Sequence, residues 1–369
     1  MTILNHLNPN LKKELIKIRE FLTLYTKRAY IVGGAVRDSF LGREIKDLDI
    51  EVYDISKDDF SLLMERLGAK GVGKSFFVYK FGDIDISLPR IESKVGIGHK
   101  AFDVEICNDE KEASKRRDFT MNAMMLNLFS NELLDFWDGL ESIKSKEIRV
   151  IDEKSFVEDS LRVLRALQFS SRFGFKIEKK SLSIMMNIEL NDLSKSRIFW
   201  EFEKLFHSRY PYFGLFYIKK LNIFEKLFTC KPKKEEFLKV ALEFERGYKN
   251  FQKELYPYYF LYIWSGFEEF SSLHFLKDIQ APKEYERVFK NQPFFKDEID
   301  DKELKRVAFE IPIKKWLGNY KKGIKQRAKE LGIWDECFSG GVKIAEVIED
   351  GFEKDEIKKE YKRRVLEKI

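Results

Sequence analysis

Strict alternation of apolar and acidic positions is the clearest signal in the chain. In "KDLDIEVYD" (46–54), Leu48, Ile50 and Val52 fall on one side of an extended strand and Asp47, Asp49 and Glu51 on the other. "AYIVGG" (29–34) reads as a strand running into a glycine turn, and "AVRDSFLG" as a helix ending at Gly42. "DDFSLLMERLG" has the spacing of an amphipathic helix stopped by Gly68. "FFVYKFGDIDISLPR" predicts two strands around a Gly82–Asp83 turn, with Asp83, Asp85 and Ser87 sharing the polar face of the second.

"PRIESKVGIGHKA" (89–101) is polar, basic and glycine-bearing, which predicts a mobile loop. "KEASKRRDFTMNAMMLNL" reads as a basic helical segment running into an apolar one. "KSFVEDSLRVLRALQFSSRFGF" (154–175) predicts one helix, opened by a Ser155-x-x-Glu158 capping box and buried along Val157, Leu161, Leu164 and Leu167. Beyond residue 150 nearly everything has helical spacing and is studded with Phe and Tyr. No fixed-period repeat or low-complexity segment interrupts it.

Composition narrows the class. A chain of 369 residues with 44% hydrophobic and 35% charged content suits two or three ordinary globular domains. No apolar run approaches the ~18 residues a membrane span needs. The opening "MTILNHLNPNLKKELIKIREFL" is amphipathic, without the apolar core of a signal peptide. Cys107, Cys230 and Cys337 share no metal or disulfide spacing, which fits a reducing cytoplasm. The net charge of +6 is mild. Basic runs such as "NYKKGIKQRAK" (319–329) can meet phosphate backbones, although a solvated helix face is the commoner explanation. His6, His99, His207 and His274 are scattered, as solvated or core positions are, and form no metal motif.

"GAKGVGKS" (68–75) matches the P-loop pattern letter for letter. A working P-loop follows a strand and opens a helix, so that free N–H groups point at phosphate. Here the order is reversed: a helix ends at Gly68, and Lys74 and Ser75 are expected to open a strand. The match is coincidental, and a P-loop ATPase is set aside.

Asp47 and Asp49, two positions apart on a strand, can share divalent cations. Mg²⁺ takes hard oxygen ligands, often one or two carboxylates plus substrate phosphates. Alone, D-x-D is usually just the wet face of a half-buried strand. Gly33-Gly34, thirteen residues before Asp47, has the order the false P-loop lacks, and Arg37 follows one turn on as a candidate phosphate ligand. Asp85 supplies a third carboxylate if its strand neighbours the first.

"GGAVRDSFLGREIKDLDIE" closely resembles the first motif of the class II tRNA nucleotidyltransferases, the CCA-adding enzymes and their bacterial poly(A) polymerase relatives. The likeness continues in order through "RRDFTMNA" and "EDSLRVLRALQFSSRFGF", and more loosely through "LSKSRIFWEFEKLF", over roughly residues 28–206. The resemblance implies that Asp47 and Asp49 bind Mg²⁺ and that Gly33, Gly34 and Arg37 hold the triphosphate. Asp85 falls where the family places a third acidic group. Arg117, Asp118 and Asn122 would contact sugar and phosphates and tie the pocket together. Glu158, Asp159 and Arg162 match the nucleotide-selecting E-D-x-x-R, with Arg165 one turn on.

That last group has a physical logic. An ionised Asp159 only accepts hydrogen bonds and Arg162 only donates. Side by side they satisfy cytosine and adenine, each of which offers an amino donor beside a ring-nitrogen acceptor. Uracil and guanine present the opposite sense, and each unpaired buried polar group costs ~1–3 kcal/mol. The plain alternative is an i,i+3 ion pair on a helix surface.

The implied fold is an α+β nucleotidyltransferase head with a mixed sheet at 1–148, a helical neck at 149–207, and a helical body and tail at 208–369. The implied activity is template-independent addition of C, C and A to the tRNA acceptor end from CTP and ATP, by two-metal in-line nucleotidyl transfer with release of pyrophosphate. A loop at 90–103 falls where the family switches from C to A. Competing readings are CC-only or A-only addition, a poly(A) polymerase, and a non-catalytic RNA-binding protein on the same fold. Poly(A) polymerases carry a second basic residue where Ser75 stands. Two further departures from the family are Gln168, where Arg is usual, and Ser196, where Glu is common.

Overall fold

The computed structural model describes residues 3–73, 77–94 and 102–369. The chain divides into two compact units, Met1–Ser194 and Lys195–Ile369.

The first unit opens with α1 (Pro9–Leu22), capped by the Asn8 side chain, and Leu11, Leu15, Ile18 and Leu22 form its buried stripe. Then come β1 (Ala29–Val32), α2 (Gly34–Phe40), β2 (Leu48–Val52), α3 (Lys57–Leu67), β3 (Lys70–Gly73), β4 (Val78–Phe81) and β5 (Ile84–Ser87). A two-stranded antiparallel ribbon follows, β6 (Arg90–Lys94) with β7 (Phe102–Ile106), and then α4 (Glu110–Lys115). The unit continues with β8 (Met125–Asn127), β9 (Leu133–Leu134), α5 (Gly139–Ser145), β10 (Glu147–Ile148), α6 (Glu153–Val157), α7 (Leu161–Phe173), β11 (Lys176–Ile177) and α8 (Lys179–Met186).

Seven strands make one mixed sheet in the order β3-β4-β5-β2-β1-β8-β9, with β2 and β5 parallel and the other pairs antiparallel. Its register explains the site. One row across five strands reads Leu126, Ile31, Ile50, Ile86 and Tyr79, and these pack with α1 and α3 into the main core. The next row reads Met125, Val32, Asp49, Asp85 and Lys80; the row beyond the apolar one reads Asn127, Tyr30, Glu51, Ser87 and Val78. Because side chains alternate across a sheet, both acidic rows share the face opposite the main core.

The second unit is helical throughout its described residues, beginning with α9 (Lys195–Phe206), α10 (Pro211–Lys220), α11 (Ile223–Leu227), α12 (Phe237–Gly247) and α13 (Tyr256–Glu268). Its centre is aromatic: Phe202, Phe224, Phe228, Trp264 and Phe275 pack edge to face, with Phe228 and Phe275 at 4.9 Å. The basic run at 319–329 serves partly as structure. Arg327 binds Asp301 and the Ile299 carbonyl, and Lys321 donates to the Phe295 carbonyl.

Several expectations need correction. The helix expected over 154–175 is two: α6 is capped by Asp152 rather than Ser155, and the chain turns at Glu158–Ser160 before α7 begins. Ser160 is buried and its hydroxyl donates to Asp192, a bond 32 residues long in sequence that holds the chain at this turn. The break shifts the buried stripe to Phe156, Val163, Leu164 and Leu167 and leaves Val157 exposed. The apolar end of "KEASKRRDFTMNAMMLNL" is strand β8, because the sheet claims it against the helical spacing. The flanks of the expected loop at 89–101 are the paired strands β6 and β7, whereas residues 95–101 lie outside the described residues. Lys74 and Ser75 also lie outside them, but α3 does precede the strand at Lys70, so the P-loop order fails as expected.

Candidate functional site

The site is built on the acidic face of the sheet. Asp49 on β2 and Asp85 on β5 are direct register partners, and Asp47 stands one residue before β2 begins. Asp49 keeps solvent access, yet its surroundings are crowded. Burial is the main cause raising its carboxyl pKa; the Arg117 guanidinium opposes this, and Asp85, Asp47 and Glu51 add like-charge repulsion. Asp85 has Lys80 Nζ 3.8 Å away, but its Oδ1 is buried and makes no hydrogen bond among the described residues.

Gly33 forms the wall beside Asp49. Its φ of +71° is left-handed, and a Cβ there would lie 3.0 Å from Arg117 Nη1 and 3.9 Å from Asp49 Oδ2. Only glycine lets the turn between β1 and α2 come this close to an arginine and a carboxylate. Gly34 follows, with Arg37 Nη2 3.4 Å from where its Cβ would be.

Arg37 lies beneath this turn rather than open to solvent. It is 3% exposed, donates to Asn122 Oδ1 at 2.6 Å and Asp38 Oδ1 at 2.9 Å, and sits over the Phe169 and Phe173 rings. Burial lowers its pKa, although neighbouring Asp38 opposes the shift. Asn122 passes the chain of bonds onward, its amide donating to Asp118 Oδ1 at 2.9 Å, while Arg165 Nε donates to Asp118 Oδ2 at 2.6 Å. Burial pushes the Asp118 carboxyl up, but Arg165 and the Asn122 amide outweigh it and hold the pKa below its ordinary value. Arg37, Asn122, Asp118 and Arg165 thus form one relay from α2 to α7, buried except at Arg165.

The selecting group lies at the start of α7 rather than along a continuous helix. Asp159 Oδ1 accepts from the Leu161 N–H at 3.2 Å, and Glu158 is the C-cap of α6. Arg162 donates Nη1 to the Ser155 carbonyl and Nη2 to the Arg116 carbonyl, both at 2.6 Å. Its guanidinium is therefore braced between α6 and the C-terminal end of α4. Gln168 is buried inside α7.

Two residues without an assigned role, Glu51 and Arg116, join the site. Glu51, 1% exposed, accepts from both Arg116 and Arg117 through Oε1 and from the Tyr53 hydroxyl at 3.2 Å through Oε2. Burial pushes its carboxyl up, but the two guanidiniums prevail and the pKa is lowered. The signal was present in the alternation that put Glu51 beside Asp47 and Asp49, together with the Arg116–Arg117 doublet.

Residues 29–149 match the family model described as the poly A polymerase head domain, and residues 174–236 match that of the probable RNA and SrmB-binding site of polymerase A. Among similar proteins is the CCA-adding enzyme of Buchnera aphidicola subsp. Baizongia pistaciae (strain Bp), 30% identical over 67% of this chain and 58% of that one. The multifunctional CCA protein of Haemophilus ducreyi (strain 35000HP / ATCC 700724) is 33% identical over 54% of this chain and 50% of its own. This chain thus spans little more than half the length of these relatives. The solved Thermotoga maritima CCA-adding enzyme complexed with tRNA shares the fold, with a TM-score of 0.63 and 21% identity over 99% of this chain and 93% of that one.

Proposed function

Because the chain belongs to the family that unites class II tRNA nucleotidyltransferases with bacterial poly(A) polymerases, we propose that it adds C, C and A to the 3′ end of tRNA without a template. CTP and ATP would be the donors and pyrophosphate the product. The observation that carries this reading is the register pairing of Asp49 with Asp85, beside a glycine turn that a Cβ would obstruct. Carboxylates crowded against each other and against a close backbone approach suit a site that receives cation and phosphate together.

The donor set fits magnesium. All its ligand atoms are carboxylate oxygens, Asp49 is strained by like charges, and Asp85 has an orphaned buried oxygen. No group of three His, Cys, Asp or Glu side chains among the described residues is arranged to hold a metal by itself. Magnesium commonly takes one or two carboxylates and completes its shell with phosphates and water. Asp47 and Asp49 would hold it. When bound there, one ion would ease ionisation of the terminal hydroxyl, and a second would neutralise charge on the departing pyrophosphate.

The protein's own residues would do the rest. Gly33 and Gly34 leave room for the triphosphate, and Arg117, held by Glu51, would present its guanidinium to it. Asp85 would accept the proton from the attacking hydroxyl. Arg37, Asn122, Asp118 and Arg165 would keep the floor of the pocket rigid, and Arg37 would reach phosphate only at the edge of the turn. Asp159 and Arg162 would read the base, and Glu158 would set the turn that positions them.

This assigns chemistry to 1–148, base selection to 149–207 and tRNA binding to 208–369. No helix among the described residues is long and apolar enough to cross a membrane, and the proposed work lies with tRNA in the cytoplasm.

The test uses the purified chain with tRNA ending before the tail, after C, and after CC, supplied separately with CTP or ATP. Product lengths should show two C additions and one A. Incorporation of C alone or A alone would reassign it to a partial enzyme, long A tracts to a poly(A) polymerase. No incorporation with retained RNA binding would make it a non-catalytic binder.

A further inference from the structure

The second unit contains a cavity of about 190 Å³ that the proposed reaction does not use. Its walls include Leu215, Phe224, Pro232 and Phe237, and Glu268 lines it from the end of α13. Glu268 is 2% exposed. Its Oε2 accepts from the Trp264 indole N–H at 2.8 Å, and its Oε1 is buried with no hydrogen-bond partner among the described residues. A half-satisfied buried carboxylate is costly. Here the residue lines a space in which Leu215, Ile218, Phe224, Pro232 and Phe237 make an apolar patch among polar and charged side chains, so a ligand that supplies a donor on a flat apolar body would remove the cost.

The charges around the cavity narrow the class. At the rim itself Lys219 and Lys231 stand against Glu225 and Glu235, with Lys219 paired to Glu235, so net charge there is balanced and hydrogen bonding decides what enters. The surrounding segment is different: seven lysines stand between 219 and 239 (219, 220, 226, 231, 233, 234 and 239) against three glutamates (225, 235 and 236). Lys219, Lys234 and Lys239 are paired to Glu235, Glu269 and Glu236, and a phosphodiester chain crossing the segment would meet the remaining lysine excess. The space suits one flat heterocycle and is too small for a whole nucleotide.

We propose that this cavity receives a single unstacked base of an RNA strand, with Glu268 Oε1 accepting from its N–H edge and the surrounding lysines carrying the backbone. Guanine fits best, since its ring N–H and amino group lie side by side and one oxygen can accept from both. Phe224 and Phe237 offer apolar surface to the ring. Burial raises the Glu268 carboxyl to about 7, against the pull of the Trp264 N–H, so the accepting form is within reach at neutral pH. The proposal rests on the reading of the chain as one that acts on RNA.

The experiment uses the full chain without nucleotide donors. A single-stranded oligoribonucleotide containing one 6-thioguanosine is photocrosslinked, and the labelled peptides are mapped. Affinities for G-containing and U-containing oligoribonucleotides, and for GMP alone, are measured on wild type, Glu268→Gln and Phe237→Ala. Crosslinks should fall within 215–237 or at 268. Glu268→Gln should weaken the G-containing strand roughly tenfold, the equivalent of one lost charged hydrogen bond, with little change for U. Phe237→Ala, at a half-buried rim position, should weaken both and keeps the test decisive if Glu268→Gln fails to fold. Crosslinks confined elsewhere, or equal binding of G and U strands by wild type, would overturn the proposal, as would a cavity that instead binds a protein segment. GMP binding as tightly as the strand would make the ligand a free nucleotide and overturn the RNA assignment. Nucleotide addition is read separately, so its absence alongside a crosslink here would sink the proposed reaction and leave this site standing.

Discussion

Glu51 Oε1 lies 2.8 Å from Arg117 Nη2 and, at the same time, 2.9 Å from Arg116 Nη2. One oxygen of a buried carboxylate thus sets the position of the arginine that borders Gly33. Arg117 Nε is buried with no hydrogen-bond partner among the described residues, so Glu51 is its main anchor. Removing one partner of such a pair leaves uncompensated charge inside the protein. Glu51→Ala should cost about 3 kcal/mol in urea denaturation. Glu51→Gln, which keeps the shape, should fold but loosen Arg117 and raise KM for CTP and ATP more than it lowers kcat. An unchanged KM would show that Arg117 does not touch the triphosphate.

Asp49 should trade stability for activity. Its carboxyl pKa is raised in the folded chain, so on raising the pH the unfolded chain loses this proton first. In that window the folded state binds more protons, and stability falls until the folded carboxyl ionises as well. At neutral pH the charge is therefore a cost, and Asp49→Asn should raise the melting temperature while abolishing nucleotide addition. Full activity in Asp49→Asn would remove the carboxylate pair from the chemistry.

Asp118 should behave in the opposite sense. Its folded pKa is lowered, so its contribution is complete above the unfolded value of ~3.9 and is lost as pH falls through the folded value. Arg165→Ala should cost about 2 kcal/mol at neutral pH, the loss of a charged hydrogen bond to a buried carboxylate. That deficit should shrink under strongly acidic conditions, where Asp118 is neutral in both variants. A deficit independent of pH would mean that Arg165 acts through packing on Phe169 instead.

The two glycines of the turn should differ. Gly33→Ala meets a left-handed φ and a 3.0 Å contact with Arg117. It should lose about 1–2 kcal/mol and most activity. Gly34→Ala meets only Arg37 Nη2 at 3.4 Å, without a positive φ, and should be far milder in melting temperature and turnover. Equal effects would argue that the turn needs flexibility rather than space.

Local pattern and motif order carried much of this protein. The alternation in 46–54 determined which face of β2 is acidic, because a strand's side chains point alternately to its two faces whatever surrounds it. The helix before Lys70 dismissed the P-loop by chain order alone. The mixed head sheet and the helical remainder were legible for the same reason, since periodicity is a property of neighbours in sequence. What the sequence could not determine was everything that depends on partners far along the chain. Asp49 meets Asp85 only because β2 and β5 pair in parallel, and Glu51 holds Arg117 across a separation of 66 residues. The break at Glu158–Ser160 depends on Ser160 finding Asp192, 32 residues away. Arg37 looked like an open phosphate ligand by its place after the glycines; Phe169, Phe173 and Asn122, brought in by folding, buried it. Burial and charge pairing arise from the sum of distant neighbours, and only the tertiary structure performs that sum.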